Sequence, residues 1–455
     1  MTADRRRLDA RPIHVRTRAG TLFNLHRNEV APVLIAGLFF FLVLTALMML
    51  RPARDALGME RGIDDVRWLF IGTAVVTLLV NPVFGFLVSR LRRLHFISAT
   101  YLFFAASLVG FWGLLVFAPG AIGTRSGQVF YVWFSVFNLF VTMVFWALLA
   151  DRFTRDQGTR LFALIAVGGT LGAIFGPWLA SRLAAPLGTA HLLLIAASCL
   201  VFALGCAWWL VRICPDQRAS TRTTAVPEDD DAVPIGGSAW AGIRAVFASR
   251  YLMGITGYVV IMTIVATFLY FTRLQMVAAA ETDLDARTSL LGNIDMWTQI
   301  AVLVLQVTLT GHIIRRLGLA FALALLPVAM AIGFLGLAVY GSFLVLILLE
   351  AANRAIQRGL TRPARETLFT VVGREDKYKA KAFIDTFVYR AGDVLGAQTE
   401  GVLGRLGLAL GGLASVVIPL ALVWAALGVW LGRAQQRQVP DHDPVFDPED
   451  GRRRR

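Results

Sequence analysis

Two segments carry the residue types that could do chemistry. In EAANRAIQRGLTRPARETLF (350–369), Glu350, Arg354, Gln357, Arg358, Thr361 and Arg365 fall on one stripe when each residue turns the helix by about 100°. In KAFIDTFVYRAGDVLG (381–396), Lys381, Asp385, Tyr389, Gly392, Asp393 and Gly396 form a second stripe, with Arg390 at its edge near Asp393. A weaker version holds Asp295, Gln299 and Gln306, and LRPARDALG (50–58) sets Arg51 one turn from Asp55 with Arg54 beside them. Guanidinium and ammonium groups so arrayed donate charge-assisted hydrogen bonds to phosphate or carboxylate oxygens. The interleaved acids can hold them in place between binding events.

The elements that carry these stripes are otherwise apolar. An arginine, lysine or aspartate at the centre of a membrane helix costs about 2.5–3.5 kcal/mol, so several facing lipid would cost as much as the roughly 5–15 kcal/mol by which whole folds are stable. The stripes must therefore face protein or a wet cavity. A charged binding path is one outcome, and ion pairs that only order the bundle are the other.

The composition agrees with a membrane setting. The 455 residues are 57% hydrophobic and 16% charged, with a mean hydropathy of +0.65, well below the ~25% charge of soluble domains. Apolar stretches long enough for a ~30 Å hydrocarbon core recur twelve times. The fold class expected is an all-α membrane protein of twelve transmembrane helices. The net charge of +14 sits in tails and alternate loops, among them Arg90, Arg92, Arg93, Arg315 and Arg316. That is the positive-inside pattern rather than a nucleic-acid surface, and it puts both termini in the cytoplasm. Cys199, Cys206 and Cys214 lack paired spacing, and the six His residues form no ligand motif. No metal, cofactor or nucleophile–base constellation is expected, and so no enzyme.

The chain divides into a basic tail (1–28), a six-helix half (29–212), a Pro-, Asp- and Thr-rich linker (213–247), a second six-helix half (248–432) and a disordered tail (433–455). Shifted by about 220 residues, the halves align: GFLVSRLRRL (85–94) falls on GHIIRRLGLA (311–320), and RDQGTRLFALIAVGGTLGA (155–173) falls loosely on REDKYKAKAFIDTFVYRAGDVLGA (374–397). The run Gly168, Gly169, Gly172, Ala173 and Gly176 favours close helix packing. Duplicated halves with a midplane site and alternating access are a common secondary-transporter plan.

This arrangement resembles the major facilitator superfamily, although Ser89 and Arg315 stand where its loop signature has an acid. More narrowly, LRPARDALG (50–58), RLFALIAVGGTLGA (160–173), RETLF (365–369) and KYKAKAFID (377–385) resemble segments of the plastid and intracellular-bacterial ATP/ADP translocases. That resemblance implies transport roles for Arg54 and Lys381, with Lys379 as neighbour. Arg54 occupies a position where those members commonly have lysine, which replaces a point charge by a planar fork.

The reading that follows is a monomeric secondary transporter of an anionic, phosphorylated solute in a bacterial cytoplasmic membrane, touching only solute and lipid. Arg54, Arg354, Arg358, Lys381 and Arg390 are the candidate binding residues, with Asp55, Asp295, Glu350, Asp385 and Asp393 as counter-charges. Two alternatives stand beside it: a proton-coupled carrier using Glu350 or Asp295, and a membrane sensor that transports nothing.

Overall fold

The structure, a computed structural model, describes residues 25–90, 93–118, 120–214, 239–309, 313–408 and 410–438. The N-terminal half contains α1 (Val30–Gly58), α2 (Ile63–Arg90), α3 (Arg93–Phe117), α4 (Ala121–Arg152), α5 (Arg155–Leu187) and α6 (Thr189–Ile213). A short helix, α7 (Ala239–Ala248), precedes α8 (Arg250–Ala280), α9 (Leu284–Leu309) and α10 (Ile313–Tyr340). Helix α11 runs over Phe343–Ile356, passes a π turn at Gln357–Thr361 and continues through Arg362–Leu368. Helix α12 runs over Arg374–Phe383, passes a π turn at Ile384–Val388 and continues through Tyr389–Arg405; α13 (Leu410–Gln438) closes the fold. This is the expected all-helical membrane fold of two six-helix halves.

Among the described residues, nine helices are long and apolar enough by composition to cross a bilayer. Helices α11 and α12 are not among them, because their polar stripes lower the hydropathy and a π turn divides each. The first span runs further than its apolar stretch, since LRPARDALG stays helical around Pro52 and carries Arg51, Arg54 and Asp55 inside α1. At the other end α13 continues to Gln438, into the segment expected to be tail; α7 likewise occupies the end of the expected linker. Residues 215–238 and 439–455 of those two segments, and the tail up to residue 24, lie outside the described residues.

The glycine run packs α5 against α1. A Cβ at Gly172 would collide with the carbonyl oxygen of Phe41, and one at Gly176 would stand 2.5 Å from that of Thr45. The second half repeats the contact: a Cβ at Gly396 of α12 would lie 2.9 Å from the Thr267 Cβ of α8. Thr45 and Thr267, like Gly176 and Gly396, are separated by about 220 residues. The internal repeat is thus visible as two equivalent helix pairs, α1 with α5 and α8 with α12.

Each half has its own core, and the C-terminal core also takes in Ala56, Met59, Val66 and Tyr131 from the first half. Those four residues lie near the α1–α2 turn and the start of α4. This end of the bundle is called distal, and the end where α1 and α8 begin is called terminal. Among the described residues, the hydrogen bonds and ion pairs that join the halves gather at the distal end. Arg67 on α2 bonds Glu400 on α12 at 2.7 Å, and the Thr189 amide donates to Asp285 at 2.6 Å; within the second half, Gln275 bonds the other Glu400 oxygen at 2.6 Å.

Candidate functional site

The charged residues divide into two tiers along α11, whose stripe from Glu350 to Arg365 spans roughly 22 Å at the rise of an α-helix. The distal tier is sealed. Arg273 on α8 donates to Asp295 on α9 at 3.0 Å and lies 3.5 Å from Glu350, while Arg354 donates to Asp295 at 3.1 Å and to Glu350 at 2.6 Å. Arg51 reaches in from α1, its Nε 4.0 Å from the second Asp295 oxygen. Three guanidiniums from α1, α8 and α11 thus share one carboxylate.

Beside this network Arg54 pairs with its neighbour Asp55, which is fully buried. Tyr270 donates to the same Asp55 oxygen at 2.9 Å and exchanges a hydrogen bond of 2.9 Å with Tyr131. The Arg54 guanidinium lies 4.6 Å from the Tyr131 ring centre and 5.3 Å from that of Phe134. Helices α1, α4 and α8 are joined here by one ion pair, two phenols and an aromatic clasp. Counted together, Arg51, Arg54, Arg273 and Arg354 face Asp55, Asp295 and Glu350, which leaves a surplus of one positive charge.

The terminal tier is a cavity of about 500 Å³ lined by Met262, Gln357, Arg358, Thr361, Arg362, Arg365, Glu366, Lys381, Asp385 and Tyr389. Two of its cations are engaged: Arg365 with Asp385 at 3.1 Å, and Lys381 with Glu366. Arg358 and Arg362 are exposed in the cavity and make no ion pair among the described residues. They sit one turn apart on α11, on either side of the exit from the π turn. All of these lining residues come from α8, α11 and α12, so this cavity belongs to the second half rather than to the seam between halves.

The structure therefore separates residues that the sequence groups together. Asp295, Glu350 and Arg354 meet in the distal tier, with Arg54 and Asp55 next to them, whereas Arg358, Lys381 and Asp385 meet in the terminal cavity. Arg390 pairs at 3.5 Å with Asp393 on its own helix and joins neither tier. Sequence reasoning missed Arg67, Tyr131, Tyr270, Arg273, Arg362 and Glu400. A signal existed for Arg273, which stands about 220 residues from Arg51 and is its counterpart in the repeat. Tyr131 and Tyr270 carried none, because an isolated tyrosine in an apolar helix looks like any packed aromatic.

Similarity to known proteins agrees with this architecture. No curated protein sequence matches the chain significantly. Among solved structures, the nucleoside transporter NupG superposes with a TM-score of 0.61 at 13% identity, over 90% of this chain and 100% of that one. A bacterial homologue of the iron transporter ferroportin in its inward-facing state gives 0.63 at 12%, over 90% and 100%. A bacterial homologue of the lysosomal transporter Spinster, also inward-facing, gives 0.58 at 12%, over 91% and 99%. At such identities the likeness is one of fold. The family model described as Major Facilitator Superfamily matches residues 27–357, most of both helical halves, and the chain therefore belongs to the major facilitator superfamily, a family of membrane transporters rather than enzymes.

Proposed function

We propose that the protein carries an anionic, phosphorylated solute across a bacterial cytoplasmic membrane by alternating access, as an exchanger. The observation that carries this reading is the terminal cavity, where among the described residues Arg358 and Arg362 have no counter-ion and the two lining acids, Glu366 and Asp385, are already engaged by Lys381 and Arg365. Two free planar forks one helical turn apart suit a group with several negatively charged oxygens. A volume of about 500 Å³ falls within the usual ~300–1,000 Å³ of small-molecule sites.

The basic loops favour cytoplasmic termini, and with that orientation a bundle joined at its distal end and open at its terminal end faces inward. The site is complete within one chain, in keeping with a monomer. The motif resemblance puts nucleotides among the solutes to test, and Lys381, one of the two residues it implicates, lines the cavity; Arg54, the other, is sealed behind Tyr131 and Tyr270. Exchange requires only that the loaded site be similarly stable in both facing states and that the empty carrier switch poorly.

The test is counterflow in vesicles containing the purified protein, with labelled inorganic phosphate, ATP, ADP, sugar phosphates and dicarboxylates. Saturable counterflow of at least one phosphorylated anion is expected, with a loss of tenfold or more in Arg358→Gln and Arg362→Gln. Absence of saturable counterflow for every anion in the panel would end the proposal.

A further inference from the structure

Two grooves at the terminal end lie outside the site described above. The first, of about 530 Å³, runs between the start of α3 and the end of α6 and is lined by Leu94, His95, Ser98, Trp208, Val211 and Arg212. The Trp208 ring is half-exposed, and its Nε1 donates to the Ser98 hydroxyl at 2.9 Å, which holds the indole against α3. His95 and Arg212 are exposed, and among the described residues neither has an acidic partner. Phe202 and Trp209 are exposed on the same helix, so this side of α6 faces hydrocarbon in a bilayer rather than solution.

The internal repeat supplies a second copy. Trp430 follows Trp208 by about 220 positions and lines a groove of about 670 Å³ near the end of α13, together with Arg433 and Arg437. Its ring lies against α8, where a Cβ at Gly254 would stand 2.5 Å from it. Both arginines are exposed and, among the described residues, unpaired. Each half therefore ends its last span in the same way: an apolar wall, a tryptophan held by a neighbouring helix, and an arginine about one turn nearer the terminal face. Among the described residues, no acid lines either groove. Tryptophan and arginine are ordinary at a membrane interface. Their recurrence beside a groove, at equivalent places in two halves, is more than scattered anchoring requires.

From these observations we infer that the two grooves are sites for anionic phospholipids of the leaflet at the terminal end, one in each half. The headgroup phosphate lies on Arg212 and His95 in the first and on Arg433 and Arg437 in the second. The glycerol and the first acyl carbons lie on the tryptophan and the apolar wall. Charge complementarity selects the headgroup: a phosphodiester with no ammonium of its own leaves its full charge for the arginines, whereas a zwitterionic lipid brings a competing cation. A soluble phosphate would leave the apolar wall unused. The inference goes beyond the proposed function and holds whichever solute is carried.

The experiment uses purified full-length protein in detergent, titrated with phosphatidylglycerol or phosphatidylcholine and read by native mass spectrometry, which counts the lipids retained on each chain and gives an affinity for each step. Wild type should retain two phosphatidylglycerols ahead of any phosphatidylcholine. Arg212→Gln should weaken one step by about fivefold, the scale of one arginine at an anionic surface, and Arg433→Gln/Arg437→Gln should weaken the other. The three substitutions together should abolish the preference for phosphatidylglycerol. Arg212→Lys should keep it, since an ammonium also binds phosphate as a point charge. Arg405→Gln removes an exposed arginine at the distal end of α12 and should leave both steps unchanged. Glycerol 3-phosphate, which carries the charged group without acyl chains, should not compete. Equal retention of the two lipids by wild type overturns the inference, and so does equal weakening in Arg405→Gln, which would reduce the effect to net charge. Displacement of the lipid by an equal concentration of glycerol 3-phosphate would make these soluble-anion sites and also overturn it. Should Arg212→Gln fail to fold, the wild-type comparison and the Arg433→Gln/Arg437→Gln protein decide.

Discussion

At the scale of single residues, the distal closure depends on a few buried polar contacts between helices far apart in sequence. Glu400 is fully buried in α12 and accepts two hydrogen bonds from Arg67, at 2.9 and 2.7 Å, and one from Gln275 at 2.6 Å. Truncating one member of such a pair costs about 3–5 kcal/mol where the other is left buried and unpaired, and less here for Glu400, because Arg67 keeps an ion pair with Asp64 one turn away on its own helix. Opening the distal end would hydrate Arg67 and relieve that cost. Glu400→Ala is therefore expected to move the population toward the distal-open state by about tenfold or more. A cysteine placed at Gln275 should become reactive to impermeant thiol reagents applied from the distal side; reactivity unchanged from the Glu400-containing parent would show that this pair does not hold the closure. The sequence shows that Asp55, Asp295, Glu350 and Arg354 are intramembrane charges needing partners, because their helices are otherwise apolar. It does not show who the partners are. Arg67 and Glu400 pair across more than 300 positions, a relation that no periodicity encodes.

At the scale of helices, the glycine run in α5 was legible as a packing surface, and the structure uses it so. The reason is local: a residue without a side chain every fourth position makes a groove that a neighbouring backbone can enter. Gly172→Val would drive a branched side chain into the Phe41 carbonyl and separate α5 from α1. A loss of at least 1–3 kcal/mol, the usual scale for overpacking, is expected as a lowered melting temperature. Gly205→Ala is the matched control, since nothing lies within 4 Å of a Cβ there. It should be neutral or gain about 0.4–1 kcal/mol. Equal behaviour of the two variants would show that the run is not the α1–α5 contact. The π turns at Gln357–Thr361 and Ile384–Val388 were not legible. Each inserts an extra residue into a helix whose polar stripe was read at a constant 100° per residue, so the phase is lost part-way along. That loss of phase accompanies the split of one apparent charged face into a sealed tier above the α11 π turn and an open cavity around and below it.

At the scale of the molecule, two helical halves meet at one end around a seam that must part if solute is to leave on the other side. The repeat announced the halves. Which end is closed depends on small inter-half contacts that composition does not rank. One of them offers a direct test. The hydroxyls of Thr189, at the start of α6, and Thr288 on α9 are 2.8 Å apart, and beside them Ser289 donates to the Ser181 carbonyl at 2.7 Å. Cysteines replacing both threonines would place their sulfurs close enough to be oxidised to a disulfide, in a chain whose own Cys199, Cys206 and Cys214 are replaced by serine or alanine. If transport requires the distal seam to open, oxidised Thr189→Cys/Thr288→Cys protein should show no counterflow, and reduction should restore it to the level of the single variants. Because the lock holds the state that opens at the terminal end, the oxidised protein should still bind phosphate from that side with wild-type affinity. Full counterflow through a cross-linked seam would mean that α6 and α9 never separate there, and the halves would have to move about a different axis.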